Sequence, residues 1–185
     1  MSASKFIGYI ASRIGIMLAL TIFGAFAGMI LFPVIVTFFP SSMSGFKTFM
    51  ISTTTDSVIA FIIMLAFFLR VFYDDGKRHA AYESWSSVNI TIVYLLMLMV
   101  YFIPAIFRES FSAEGKGDVF YKVFYYPCQW LISGFGMDYM VGVLVGIGLL
   151  LVASFAIYLT AYKIYIHKHP VILKAPKRFE EQEQQ

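Results

Sequence analysis

Cysteine and charged residues are both scarce in this sequence. A single Cys in 185 residues excludes an intrachain disulfide, a paired-thiol redox motif and a cysteine-based metal site. Charged residues make up 14% of the chain, whereas about 25% is usual in a soluble domain. So little charge argues against a water-soluble protein.

Sequence motifs of common catalytic sites are missing as well. The chain contains no G-x-x-x-x-G-K-[ST] phosphate loop, no H-E-x-x-H zinc motif and no G-x-S-x-G nucleophile elbow. Its basic residues are scattered over several segments, so nothing favours binding to nucleic acid. We therefore expect no catalytic site, no metal, no cofactor and no nucleic-acid partner.

Apolar residues are abundant, at 59% of the chain with a mean hydropathy of +0.77. A helix needs about 20 mostly apolar residues to cross the hydrocarbon core of a bilayer. This length predicts four transmembrane spans, at residues 14–39, 54–73, 84–107 and 139–162. Arg70 falls near the end of the second span, where its stem can stay in lipid while its guanidinium anchors at the interface.

Basic residues indicate how these spans are oriented. With both termini on one side, that side holds ten Lys and Arg residues and the other holds four: Lys47, Arg108, Lys116 and Lys122. Cytoplasmic loops carry the excess of Lys and Arg, so both termini should be cytoplasmic. The predicted fold is an all-α integral membrane protein of four helices in an antiparallel bundle. We expect it to be a multi-pass protein of the plasma membrane, in contact with the lipid bilayer.

An aromatic segment at 119–136 lies between the third and fourth spans. Pro127, Gly134 and Gly136 interrupt it, and it is short for a crossing. We interpret it as an interfacial or re-entrant segment in which Trp130 is an interfacial anchor. Residues 1–166 then form one transmembrane domain, and residues 167–185 form a polar cytoplasmic tail.

Six consecutive residues with oxygen-bearing side chains lie at the outer end of the second span: Ser52, Thr53, Thr54, Thr55, Asp56 and Ser57. Residues 52–56 are a candidate polar or ion site, since hard cations prefer oxygen ligands and acidic residues mark transport paths. The alternative is helix capping, because Ser, Thr and Asp satisfy the free N–H groups at a helix start. If Asp56 is buried, Arg108 or Lys122 could pair with it. Asp138, at the start of the fourth span, is better explained by capping.

Small residues form a G-x-x-x-G pattern in two of the spans. Gly24 and Gly28 lie in the first, and Gly142 and Gly146 lie in the fourth. Such residues let helix backbones approach closely in lipid, so these glycines are predicted helix-packing positions. The helix they contact could belong to this chain or to another subunit.

These features favour a polytopic membrane protein without enzymatic chemistry, which acts through helix packing as a subunit of a membrane assembly or as a homo-oligomer. The alternative is a small transporter or channel component with a polar site around Asp56. A membrane-embedded enzyme acting on lipid has the least support, because nothing supplies a base, a nucleophile or a metal. The charged segment 73–83 could bind a cytosolic partner or lipid headgroups, but it is interpreted as an ordinary cytoplasmic connector.

Overall fold

The computed structural model describes residues 3–82, 87–108 and 118–169. These residues are helical and form no strand. Four helices are long and apolar enough to cross a membrane: Ser4–Thr37, Thr53–Ala81, Val88–Ile106 and Tyr139–Lys168. Over the described residues, the predictions of an all-α fold and of four helices with the length and apolar character of membrane spans are confirmed. The first, second and fourth helices extend beyond the predicted spans, because a helix can continue past the hydrocarbon core of a membrane.

The first long helix contains a break that its sequence explains. Helix α1 (Ala3–Phe26) passes through a π-helical turn (Ala27–Leu31) into α2 (Phe32–Thr37). Pro33 lies near the start of α2, and a proline ring collides with the carbonyl group four residues earlier, here that of Met29. The π turn lies at that position and changes the backbone where the clash would occur.

Helix α4 is the central helix of the bundle. It follows a short 3-10 turn (Ser41–Met43) and α3 (Ser44–Met50), and it runs over Thr53–Ala81, packed against α1 and the last long helix. Its buried positions recur every three or four residues, as expected for one face of a helix. They include Phe61, Met64, Phe68, Phe72 and Asp75.

The second half of the chain places a broken helical segment among the long helices. Helix α5 (Ser87–Ile106) is followed by α6 (Asp118–Phe124), a 3-10 turn (Tyr126–Cys128) and a π turn (Trp130–Gly134). The last long helix, α7, covers Tyr139–Lys168. The aromatic segment 119–136 contributes to the core through a set of buried side chains: Tyr121, Phe124, Tyr125, Tyr126, Cys128 and Leu131.

Two tyrosines of the aromatic segment bind the backbone of α5 around its proline. The Tyr121 hydroxyl donates to the carbonyl of Pro104 at 2.8 Å, and the Tyr125 hydroxyl donates to the carbonyl of Tyr101 at 2.6 Å. Pro104 has no N–H group, so the helical ladder is weakened in this turn. The tyrosine hydroxyls supply donors there and attach the segment to α5.

The middle of the bundle is filled by apolar side chains. Met17, Met64, Phe68, Phe72 and Met97 are each at most 1% exposed. Two buried hydroxyl groups at this level donate to their own helices, from Thr21 to the Met17 carbonyl and from Ser154 to the Leu151 carbonyl. The core is therefore closely packed and apolar between the two ends of α4. Of the predicted tail 167–185, residues 167 and 168 belong to α7, and residues 170–185 lie outside the described part of the chain.

Candidate functional site

The predicted polar cluster at the start of α4 divides into two roles. Ser52 is the N-cap residue, and its Oγ accepts a hydrogen bond from the Thr55 backbone N–H at 3.3 Å. The Thr55 hydroxyl lies 2.9 Å from the Ser52 hydroxyl and donates to the Phe49 carbonyl at 3.0 Å. Ser52 and Thr55 thus perform the capping that was the alternative interpretation of this cluster.

Asp56 does not share that capping role. Asp56 is only 6% exposed, and its Oδ1 atom is buried without a hydrogen-bond partner among the described residues. Of its two predicted partners, Arg108 instead places its guanidinium over the ring of Tyr139, 3.9 Å from the centroid. An unpaired buried carboxylate oxygen is costly, so Asp56 differs from the capping residues beside it.

Asp138, at the start of α7, shows the contrasting arrangement. It is the N-cap residue of α7 and is exposed, and its Oδ1 accepts a hydrogen bond from the Met140 backbone N–H at 2.9 Å. Two aspartates at the starts of two long helices therefore differ. Asp138 is exposed and caps α7, whereas Asp56 is buried in the first turn of α4.

A cavity of about 400 Å³ lies next to Asp56. It is lined by Met29, Thr53, Lys122, Tyr126 and Gln129. Thr53 and Asp56 are three residues apart in α4 and so lie on neighbouring positions of one helix face. Burial, together with the negative charge of Asp56, raises the pKa of Tyr126 to about 12. Tyr126 therefore lines the cavity and also lies within electrostatic range of the Asp56 carboxylate. We call this the Asp56 site.

Thr54, the remaining candidate of this cluster, packs away from the cavity. Its methyl carbon lies against Gly134 in the π turn that precedes α7. Of the predicted site residues 52–56, the structure therefore brings Thr53 to the cavity wall, while Asp56 is buried one turn further along α4. Ser52 and Thr55 cap the helix, and Thr54 packs against Gly134 of the aromatic segment.

The opposite end of α4 carries an ion pair between two helices. Nε and Nη2 of Arg13 in α1 each donate to one carboxylate oxygen of Asp75 in α4, both at 2.5 Å. The Tyr9 hydroxyl donates to the same carboxylate at 2.9 Å. The side chains of Arg13 and Asp75 are 12% and 4% exposed, so the pair is largely buried.

A histidine connects this ion pair to α7. Nδ1 of His79 is hydrogen-bonded to the Tyr158 hydroxyl at 2.6 Å, and the His79 ring lies 5.2 Å from the ring of Tyr9. Gly76, one residue after Asp75, allows the α7 backbone at Tyr158 to approach α4 closely. Tyr9, Arg13, Asp75, His79 and Tyr158 together form what we call the Asp75 cluster, which joins α1, α4 and α7.

Interpreting segment 73–83 as a connector was wrong. Helix α4 continues to Ala81, and Asp75 lies on the buried face that also presents Phe68 and Phe72. The spacing of Phe68, Phe72 and Asp75 by four and three residues is the signal that could have located this aspartate in the core. Its partner Arg13, 62 residues away, leaves no comparable local signal in the sequence.

The four predicted helix-packing glycines all face other parts of this chain. Gly24 lies against Ala60 and Met64 of α4, and Gly28 lies against Asp56 and Ala60. In α7, Gly142 contacts Ile132, and Gly146 contacts the Cys128 sulfur. These glycines therefore account for the close contact of α1 with α4 and of α7 with the aromatic segment.

The two predicted interfacial anchors have different surroundings. The Arg70 side chain is 72% exposed and forms an ion pair with Asp74, one turn later in α4, at 3.2 Å. Trp130 is half-buried, with its ring 5.8 Å from the rings of Phe61 and Phe135. Arg70 thus points outward from the bundle, while Trp130 packs partly against it.

The Asp56 site and the Asp75 cluster occupy opposite ends of one helix. Asp56 and Asp75 are separated by 19 residues, or about 28 Å along α4. This length is close to the thickness of a hydrocarbon core, about 30 Å. No family model, curated protein or solved structure matches the chain.

Proposed function

We propose that the chain is a subunit of a membrane assembly, without enzymatic chemistry of its own, which acts by binding a partner in the bilayer. The observation that carries this proposal is the closely packed apolar core between the two ends of α4, where Met17, Met64 and Phe68 are at most 1% exposed. Within the described ranges 3–82, 87–108 and 118–169, such a core offers no polar path through the middle of the bundle. Its functional contacts are then made at its surface and at its ends.

The topology in this proposal is an antiparallel bundle with both termini in the cytoplasm and with the plasma membrane as its location. The contacts of α1 with α4 support the antiparallel order, since Gly28 meets Asp56 whereas Arg13 meets Asp75. The excess of Lys and Arg on the side of the termini supports the orientation. A reporter fused after Gln185 should read as cytoplasmic, and an external signal would contradict this topology.

In the same topology the aromatic segment is re-entrant. Cys128 and Leu131 lie against Gly146, which is seven residues inside α7. Backbone that leaves a regular helix at membrane depth is tolerated where protein surrounds it, and this segment is buried among α1, α4 and α7. Its position supports insertion between the helices rather than an arrangement along the membrane surface.

The partner in this proposal contacts side chains that face away from the core. Because the four predicted packing glycines are used within the chain, the partner is expected to contact outward-facing residues such as Ile22, Ile62 and Val152, which are 57%, 55% and 69% exposed. These three residues lie on α1, α4 and α7 and so sample three directions around the bundle.

Photo-crosslinking in native membranes tests the proposal. A photoreactive amino acid is placed singly at Ile22, Ile62 or Val152, with a matched control at Met97, which is fully buried. We expect an adduct of discrete mass from one or two outward positions and none from Met97. Adducts with lipid alone from every outward position would contradict the proposal.

A second candidate function is transport of a small solute or ion through a site that includes Asp56. The observation in its favour is the buried, unpartnered Oδ1 of Asp56 beside a cavity of about 400 Å³. Buried acidic residues in membrane helices commonly mark solute and ion paths. Because the core is closed below this site, passage would require the helices to move or a partner to complete the path.

Flux through reconstituted protein distinguishes this candidate. Wild type, Asp56→Asn and the matched control Asp138→Asn are compared with protein-free liposomes for passage of protons, alkali cations and small amino acids. A transport function predicts flux that Asp56→Asn abolishes and Asp138→Asn preserves. Equal flux in wild type and Asp56→Asn would remove Asp56 from such a path.

A further inference from the structure

We propose that residues 38–51, which connect the first two membrane-spanning helices, form an amphipathic anchor that inserts its aromatic side chains into the headgroup region of the bilayer. The partner of this surface is the lipid surface itself, and the inserted side chains are those of Phe38, Phe46 and Phe49. The inference is independent of a protein partner and of transport. The proposed topology places the anchor in the outer leaflet, but its depth can be measured whichever leaflet holds it.

The level of this segment in the membrane is set by the two helices that flank it. The membrane-spanning helix Ser4–Thr37 ends where the segment begins, and Thr53–Ala81 starts where it ends. The 3-10 turn Ser41–Met43 and helix α3 (Ser44–Met50) lie between them. Since a span ends near the edge of the hydrocarbon core, the segment lies at the level of the lipid headgroups.

Helix α3 separates apolar and polar side chains onto opposite faces. Residues at i, i+3 and i+4 of a helix share a face. Three apolar residues with this spacing form one face of α3: Phe46, Phe49 and Met50. Three polar residues with the same spacing form the opposite face: Ser44, Lys47 and Thr48. A helix with an aromatic face and a polar face that carries Lys is typical of segments that lie in a membrane interface.

The aromatic side chains of the segment are only partly covered by the rest of the bundle. Phe38 is 83% exposed and Phe49 is 64% exposed. Phe46 is 45% exposed and keeps an edge-on contact with Phe39, with the ring centroids 5.8 Å apart. Exposed apolar groups that lie close together mark a surface that another apolar phase covers. The bilayer interface supplies that phase at the level of this segment.

The charge of the segment also fits a lipid surface. Residues 38–51 contain no acidic residue, and their single charged residue is Lys47, on the polar face of α3. An acidic side chain at this level would be repelled by lipid phosphates. A lysine is compatible with them, because its stem can lie along apolar surface while its ammonium group stays among the headgroups.

Hydrogen bonds attach α3 to the ends of both flanking helices. Nζ of Lys47 donates to the Thr37 carbonyl at the end of α2, at 3.2 Å. The Thr55 hydroxyl, in the first turn of α4, donates to the Phe49 carbonyl at 3.0 Å. An anchor held at both ends in this way fixes the depth of α2 and of the start of α4 in the membrane.

Spin labels on the full chain in bilayers measure the depth of the two faces. Cysteines are introduced singly at Phe46 and Phe49 and, as matched controls, at Ser44 and Thr48, while Cys128 is replaced by Ala in every variant. The protein is reconstituted in liposomes of phosphatidylcholine and phosphatidylglycerol. Collisions are measured with oxygen, which concentrates in hydrocarbon, and with a water-soluble nickel chelate present on both sides.

The account predicts a reversal between the two faces. Labels at positions 46 and 49 should collide mainly with oxygen, and labels at positions 44 and 48 should collide mainly with the chelate. Equal access of the chelate to all four positions would overturn the proposal. Labels at 46 and 49 that neither reagent reaches would overturn it as well, since protein would then cover the aromatic face.

A charged substitution tests whether the aromatic side chains hold the segment in place. Phe49→Glu puts a carboxylate on the inserted face, so it should shift a label at position 46 from oxygen toward the chelate. Thr48→Glu, on the opposite face, is the matched control and should leave that label unchanged. Both residues are exposed, so either variant should fold like wild type. A label at position 46 that still collides mainly with oxygen in Phe49→Glu would overturn the proposal.

Discussion

Arg13 and Asp75 form a two-point ion pair between α1 and α4, although 62 residues separate them in the sequence. A lone Arg or Asp costs about 2.5–3.5 kcal/mol at the centre of a membrane helix, and less toward its ends. Pairing reduces this cost, and the Tyr9 hydroxyl satisfies a further lone pair of the carboxylate. The pair therefore lets two charged residues occupy the buried face of the bundle.

Removing one member of this pair should destabilise the protein strongly. Asp75→Asn leaves the Arg13 guanidinium largely buried without its counter-charge, and Arg13→Gln does the same to the carboxylate. Breaking a buried pair in this way typically costs about 3–5 kcal/mol. We expect each variant to unfold earlier than wild type in a denaturant titration in detergent micelles.

Replacing both residues together separates the energy of the ion pair from the cost of burying each charge. Combining Arg13→Gln with Asp75→Asn removes both charges, so the double variant should cost less than the sum of the two single variants. The ion pair Arg70–Asp74 is the control, because Arg70 is mostly exposed and Asp74→Asn should change stability by less than about 1 kcal/mol. Additive losses in the double variant would show that the two side chains do not interact.

Gly76 should not tolerate a side chain. A Cβ atom at this position would overlap the backbone carbonyl oxygen of Tyr158 and press on Ala161 in α7. Overpacking of this kind costs about 1–3 kcal/mol, so Gly76→Ala should lower the midpoint of thermal unfolding. Gly15→Ala and Gly148→Ala are the controls, since a Cβ there meets nothing within 4 Å. Equal stability of all three variants would contradict the close packing of α4 on α7.

The Cys128 thiol should react slowly while the protein is folded. It is 1% exposed, and burial raises its pKa from 9.0 to about 12. Because only the thiolate is nucleophilic, alkylation at pH 8 should be about a thousandfold slower than for a thiol of unshifted pKa. The rate should rise about tenfold per pH unit up to about pH 12, where the thiolate becomes the main form. A rate at pH 8 equal to that of the protein unfolded in detergent would show that the thiol is accessible.

The four membrane-spanning helices could be predicted from the sequence because hydrophobic length alone determines them. The runs 14–39 and 139–162 are uncharged and long enough to cross a bilayer. Such a signal is local, so no knowledge of the partner helix is needed. The helix ends were less well predicted, because charged residues such as Arg13 and Asp75 were assumed to lie outside the bundle.

The Asp75 cluster could not be predicted, because its contacts join residues that are far apart in the sequence. Its ion pair depends on which face of α1 meets which face of α4, and Gly24 and Gly28 set that contact through close backbone packing. At the start of α4, Asp56 could be identified from the sequence, because an acidic residue next to an apolar run is conspicuous. Its burial depends on Gly28 and on the inserted segment with Tyr126, which no local pattern reveals.

A chain that acts through a partner in the membrane should be extracted together with that partner. The most direct test is the mass of the particle extracted from native membranes into polymer-bounded discs, with one tagged copy and no added detergent. We predict a particle that contains more protein than one chain of 21.0 kDa, either a second copy or a different membrane protein in fixed ratio. A particle that contains only one copy at every expression level would contradict the claim.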